Sequence, residues 1–372
     1  MIHLVLDTTV YRSNPSMDNL HFKAIEKLAL AGELKLHIPY VVLREFQTQQ
    51  REHYSKDLAK AISGLSGLTK KSLDKAIASK LIALKDELET DSPNILSSAE
   101  DQIVQWAKNV GADLLPLSLD QTQEALEAYF QGKPPLKSIK NREDIPDSFI
   151  FQSILKLHSS FNEIHVVSGD NKILEASKAA NIQAYESLST FVESPLIQDK
   201  LKDVDLIKNI GPIVDALEAH EQQEGDIHSF LSCNIGEEIM WGKIIDSSIP
   251  DDNHEATISS YYDPKEIELD FSRARYYGNG QFGIPFTLEN TVNAIYYIFK
   301  SDYYCLDADH EHVPSISEHN DHYFEAEDEF DVRVSGLVSI TINRDKIDVA
   351  DISESIVEDS IQIDEVSEIE LC

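Results

Sequence analysis

Cysteine is scarce in this chain of 372 residues: there are three, Cys233, Cys305 and Cys372, with no CxxC spacing among them. That excludes a disulfide framework and a cysteine-built structural zinc site, and it suits thiols kept reduced. Long apolar runs are missing as well. No window approaches the roughly 20 apolar residues that cross a bilayer, and the first residues enter a strand pattern without a basic and apolar leader. The expectation is a cytoplasmic protein with no membrane partner. Basic residues are scarce in one half only. Residues 1–200 hold 22 Lys and Arg against 27 Asp and Glu, net −5, whereas residues 201–372 hold 10 against 39, net −29 of the total −34. Binding to phosphate chains rests on Lys and Arg displacing counterions, so the second half by itself repels nucleic acid. Any handling of nucleic acid falls to the first half.

What is present, up to about residue 195, is an alternation of short apolar strands with helices. IHLVL (2–6) reads as a buried strand, followed by a helix near 18–31 that stops at Gly32. LKLHI (34–38) reads as a second strand, and Pro39 leads into the helical run VVLREFQTQQREHYSKDLAKAI. Helices follow at 70–90 and 98–110, then the strand DLLPL and a helix over 119–131. The basic loop GKPPLKSIKNRE precedes a helix reaching about Ser159, the strand IHVVS, a helix near 171–180 and the strand IQAY. This alternation predicts an α/β domain over 1–195, a parallel sheet with helices on both faces. A linker is expected at 196–205. From 206 to 372 the pattern predicts an acidic accessory domain, mainly β or α+β. A helix is expected over 203–222, and IGEEIMWGKII and several later segments alternate at period two, as antiparallel strands with one wet face do. The run EAEDEFD (325–331) reads as a solvated loop.

Four acids stand where chemistry gathers in such a fold, outside the carboxyl ends of strands or at the helix starts that follow them. Asp7 ends the first strand in IHLVLDTTVY, and Asp170 follows another in IHVVSGDNKIL. Glu45 lies early in the helix after the second strand, and Asp147 opens the helix of DIPDSFIFQSIL. Each has a plain structural reading. Asp7 can cap the DTT turn, Asp170 and Asp147 can be helix caps, and Glu45 can be an early-helix acid favoured by the macrodipole.

Taken in order, DTTVY, VVLREF, NREDIPDSFI and VVSGDNKIL resemble the acidic motifs of the PIN-domain ribonucleases, over about residues 1–195. The resemblance implies a PIN-like parallel sheet and a carboxylate cluster that binds one or two Mg²⁺ or Mn²⁺ ions and cuts phosphodiester bonds. The substrate is RNA or, in the related flap nucleases, DNA. It places Asp7, Glu45, Asp147 and Asp170 in the four acidic positions. Asp7 and Asp170 are then the principal metal ligands and Asp147 a third, with Glu45 a ligand or water-positioning base; the last two roles can be exchanged. The chemistry is sound in general terms, because clustered carboxylates repel one another and gain by sharing hard divalent cations. Asp144, three residues before Asp147, is assigned to the loop or to supporting the cluster. Thr8, Thr9, Ser168 and Asn171 flank the strand-tip acids and can hydrogen-bond them, and Lys137, Lys140 and Arg142 can meet substrate phosphates. These features imply a metal-dependent endoribonuclease. Two alternatives stand beside it, a DNA-directed nuclease and a PIN-like module that binds RNA or protein without cutting.

The second half carries a His-rich stretch with His310, His312, His319 and His322, but no compact ligand motif, so a polar loop is the expectation there. Its acidity suits a protein partner that is basic, self-inhibition by imitation of nucleic acid, or a scaffold kept soluble by charge.

Overall fold

Apolar strands flanked by turn signals become a buried parallel sheet. A computed structural model describes residues 1–71, 74–136, 138–139, 144–161, 163–207, 209–304, 314–349 and 351–372. The chain divides into two compact units, Met1–Lys200 and Leu201–Cys372. In the first, β1 (Ile2–Leu6) leads to α1 (Thr8–Ser13), α2 (Leu20–Leu30), β2 (Leu34–Pro39), α3 (Tyr40–Thr69) and α4 (Lys75–Asn109). Then come β3 (Asp113–Leu115), α5 (Leu119–Gln131), α6 (Ile145–Ser160), β4 (Ile164–Val167), α7 (Asn171–Ala179), β5 (Gln183–Tyr185) and α8 (Leu188–Val192).

The five strands pair in parallel in the order β3-β2-β1-β4-β5. The chain builds outward from β1 on one side and from β4 on the other, so the direction of strand order reverses between these two. Such a switch point leaves a crevice at the carboxyl ends of the two strands. Every residue of β1 and β4 is buried, which is why both read as unbroken apolar runs rather than as an alternation.

Behind β1, the rings of Tyr11, Phe22, Phe46 and Trp106 pack together. Tyr11 meets Phe46 and Trp106 edge-on at centroid distances of 5.9 and 6.0 Å. This cluster ties α1, α2, α3 and α4 to one another. The expected helices at 70–90 and 98–110 form instead a single α4, with Pro93 inside it. Pro93 is exposed, so the carbonyl left without its helical donor can turn to water, and packing along α3 carries the helix past the proline.

Most of the stretch 196–205 where a linker was expected is helical, as α9 (Pro195–Val204), and the division between the units falls inside it. The second unit continues with α10 (Gly211–Glu224), α11 (Asp226–Ile239), β6 (Lys243–Ile245), β7 (Glu255–Tyr261), β8 (Lys265–Leu269), β9 (Arg275–Gly278) and β10 (Gln281–Phe299). It closes with α12 (Lys300–Tyr303), β11 (Ser315–Glu318), β12 (Tyr323–Thr341) and β13 (Gln362–Leu371). Its eight strands form a separate antiparallel sheet whose spine is the pairing of β10 with β12 from Gln281↔Thr341 to Phe299↔Tyr323.

Two expectations for this unit change. IGEEI belongs to α11, because Ile235 and Ile239, four residues apart, share a buried helix face. Gly236 lies under the ring of Tyr261, where a Cβ would stand 2.0 Å from a ring carbon. The run EAEDEFD lies within β12 rather than in a loop. Phe324, Ala326, Val332 and Val334 are buried while Glu327, Glu329 and Asp331 are exposed, so the acids occupy the wet side of a period-two strand.

The two tryptophans differ in setting. Trp106 in the first unit is 9% exposed, and Trp241 in the second, at a φ of 67°, is 70% exposed. No helix among the described residues is long and apolar enough to cross a membrane.

Candidate active site

Asp7 follows β1 and is 4% exposed. It holds the cap position of α1, yet its side chain makes no cap bond. Its Oδ2 accepts instead from Thr9 Oγ1 and from Ser168 Oγ, each at 2.9 Å. Ser168, fully buried at the end of β4, also accepts from the Asp170 amide at 3.0 Å. Thr9 Oγ1 likewise accepts from the Gly169 amide at 2.9 Å. The two strand tips are therefore locked together by hydroxyls that donate to one acid and accept from the backbone beside the other. A Cβ on Gly169 would lie 3.4 Å from the Thr9 side chain, so a small residue suits this junction.

Asp170 does cap its helix: its Oδ1 accepts from the Lys172 amide at 2.6 Å. Glu45, half-buried in the second turn of α3, accepts from Thr8 Oγ1 at 2.7 Å. Its carboxyl is pushed up, by burial first and by the charge of Asp7, against the Thr8 hydrogen bond and the Arg12 charge. Burial also pushes Asp147, in the first turn of α6, up to about 7, and the charges of Asp170, Asp7 and Asp144 add to it while Lys172 opposes. Asp147 thus feels three other carboxylates, and Glu45 feels Asp7. Asp7 is the one acid whose charge acts on both Glu45 and Asp147.

Asp144 precedes α6, is 1% exposed, and is held by an ion pair with Lys172. The same ammonium lies 3.9 Å from Asp147 Oδ2. Lys172 is the site residue that sequence reasoning missed. It stands two positions after Asp170 in GDNK, but a lysine in the first turn of a helix reads as a solvated surface residue, and nothing local signals a partner 28 positions earlier. Asn171 opens α7 beside Asp170 and is exposed. Lys137, Lys140 and Arg142 lie outside the described residues, as do His310 and His312. Of the other two histidines, the ring of His319 lies 4.3 Å from that of Tyr297 and His322 stacks at 6.2 Å on Phe299.

Among the described residues, no three His, Cys, Asp or Glu side chains are gathered so as to hold a metal ion as they stand. The donor set nevertheless suits a hard divalent cation, which takes a few carboxylates and keeps several waters. Burial first, and then the charges of Asp170, Asp7 and Asp144, push the Asp147 carboxyl up, and a divalent ion would offset the charge part of that push.

Residues 4–173, most of the first unit and under half of the chain, match the family model described as PIN domain, so that unit, rather than the whole chain, is a PIN domain. That is a nuclease fold, with nucleic acid as its class of substrate and divalent cations as its usual helpers. No curated protein and no solved structure matches the chain.

Proposed function

We propose that the protein is a metal-dependent endoribonuclease whose first unit hydrolyses phosphodiester bonds in RNA, with Asp7, Glu45, Asp147 and Asp170 as its acidic residues. The observation that carries this reading is the junction at the switch point of the sheet, where Thr9 and Ser168 tie Asp7 to the backbone beside Asp170, Thr8 holds Glu45, and Lys172 lies 3.9 Å from Asp147. In this reading Asp7 and Asp170 would hold Mg²⁺ or Mn²⁺ together with Asp147, and Thr9 and Ser168 orient the Asp7 carboxylate. A bound divalent ion supplies an activated water and offsets charge on the leaving oxygen. Glu45, held by Thr8, orients the water or takes its proton. Lys172 pairs with Asp144 and its charge opposes the push of the acids on Asp147. The second unit, at net −29, docks a basic protein partner or restrains the first; an isolated first unit no more active than the whole chain would remove the restraint from this account.

The test is cleavage of labelled single-stranded RNA and DNA by the wild type and Asp7→Asn in Mn²⁺, Mg²⁺ or EDTA. Metal-dependent cleavage of RNA that Asp7→Asn lowers by about a thousandfold or more is expected, in line with the weight of metal and electrostatic terms in such sites. Cleavage of DNA alone would move the substrate. Binding without cleavage in every condition would favour the non-catalytic module, to which the capping role of Asp170 already lends some support.

A further inference from the structure

The helix that presents Glu45 continues past the acidic site with a row of residues four apart. Gln49, His53 and Asp57 follow Glu45 along α3, and all three line a cleft of about 820 Å³ whose other walls include Arg12 of α1 and Ile95 of α4. The volume is that of a small-molecule site. Arg12 stands one helical turn after Thr8 on α1, Thr8 holds Glu45 at 2.7 Å, and Gln49 stands one turn after Glu45 on α3, so the cleft begins where the acids end.

Within it, the Gln49 Oε1 atom is buried and has no hydrogen-bond partner. A buried acceptor without a donor is costly, and a ligand that brings an N–H removes the cost. The neighbouring Gln47 shows the contrast: its amide donates to the Glu100 carbonyl at 3.0 Å and is used by the fold. Tyr54, 40% exposed, offers a ring to the cleft with the His53 ring set edge-on to it at 6.4 Å. An aromatic platform, an orphan acceptor and an exposed arginine beside a nuclease-type site together match one ligand, a flat base with N–H donors on its edge and a phosphate at its side. A base within a duplex has its faces stacked and its pairing edge occupied, whereas an unpaired base offers both.

We infer that this cleft holds an unpaired nucleobase of the substrate strand, stacked on Tyr54 with its edge donating to Gln49, while Arg12 meets a phosphate between that base and the scissile bond. The inference rests on the nuclease reading of the acids and adds to it a subsite that selects single strands.

The test uses the full chain carrying Asp7→Asn, which leaves the cleft intact, and a fluorescent 12-nucleotide single-stranded RNA read by anisotropy in Mg²⁺. Adding Tyr54→Ala or Gln49→Leu is expected to weaken binding about fivefold or more, the scale of one lost base stack, and Tyr54→Phe to stay within about twofold of the parent. With Asp7 restored, Tyr54→Ala is expected to raise KM by a similar factor and leave kcat unchanged. If the wild type cuts RNA but Tyr54→Ala and Gln49→Leu bind and cut as it does, the subsite is overturned and the nuclease stands. If the parent neither binds nor, with Asp7 restored, cuts, both fall. If free AMP binds as tightly as the 12-mer and displaces it, the cleft serves a free nucleotide and the strand subsite is overturned.

Discussion

Asp147 holds its proton more tightly in the fold than in the open chain, and the sign of that shift sets a measurable slope. Burial, with the charges of Asp170, Asp7 and Asp144, pushes its carboxyl up to about 7 from 3.8, so the native state binds more protons across the window from about pH 4 to about 7. Stability is lost as pH rises through that window in the absence of metal. In EDTA, Asp147→Asn is expected to melt close to the wild type near pH 4.5 and about 2–4 °C above it at pH 8, for roughly one kcal/mol recovered from a partly exposed carboxyl. A gap that does not grow with pH would show that burial and neighbouring charge do not hold the Asp147 proton. Lys172 gives a second residue-level test, because Asp144 is nearly inaccessible and pairs with it. Removing one partner of a buried pair leaves an uncompensated charge. Lys172→Met is expected to cost about 2 kcal/mol or more in urea unfolding, and adding Asp144→Asn to recover most of it. Additive losses would mean that the two side chains act independently.

At the scale of elements, β1 and β2 carry His3 and His37 on the sheet, with ring nitrogens 2.9 Å apart and both rings stacked on Phe161. Burial pushes the His37 imidazole down to about 4 from 6.5. The unfolded chain therefore binds more protons between about pH 6.5 and 4, and stability falls as pH falls through that window. This slope opposes that of Asp147, so each is to be read as a difference between variant and wild type. His37→Asn is expected to be less stable at pH 7.5 and to close that gap as pH approaches 4.5; a constant gap would mean that packing alone is lost. The elements also show what the chain made legible. β1 and β4 were readable because both are buried throughout and each ends abruptly on polar residues; Asp7 and Asp170 were picked out by their positions at those ends, and Glu45 and Asp147 by theirs near the starts of helices. α4 was read as two helices because Pro93 is a strong local signal that packing along α3 overrides. The acidic run in β12 was read as a loop because its charges hid the alternation of Phe324 and Ala326 with the acids. Lys172 and Gln49 were illegible for another reason: their roles depend on partners brought near only by the fold, and neither residue type announces one.

For the whole molecule, each unit has its own sheet and core, and the charge is divided between them at −5 and −29. An ion that binds one unit stabilises that unit. Mn²⁺ at about 10 to 100 times its Kd is expected to raise the unfolding transition of the first unit by about 1–3 kcal/mol, an effect that Asp7→Asn removes. A shift confined to the second unit would place the ion on the acidic sheet and not at the strand tips. The chain supplies the means of telling these transitions apart. With Trp106 packed among rings in one unit and Trp241 in water in the other, it carries two native fluorophores of different colour: a blue-emitting indole that iodide cannot reach and a red-emitting one that it quenches. Trp241→Phe leaves a protein that reports on its first unit alone, with no label attached.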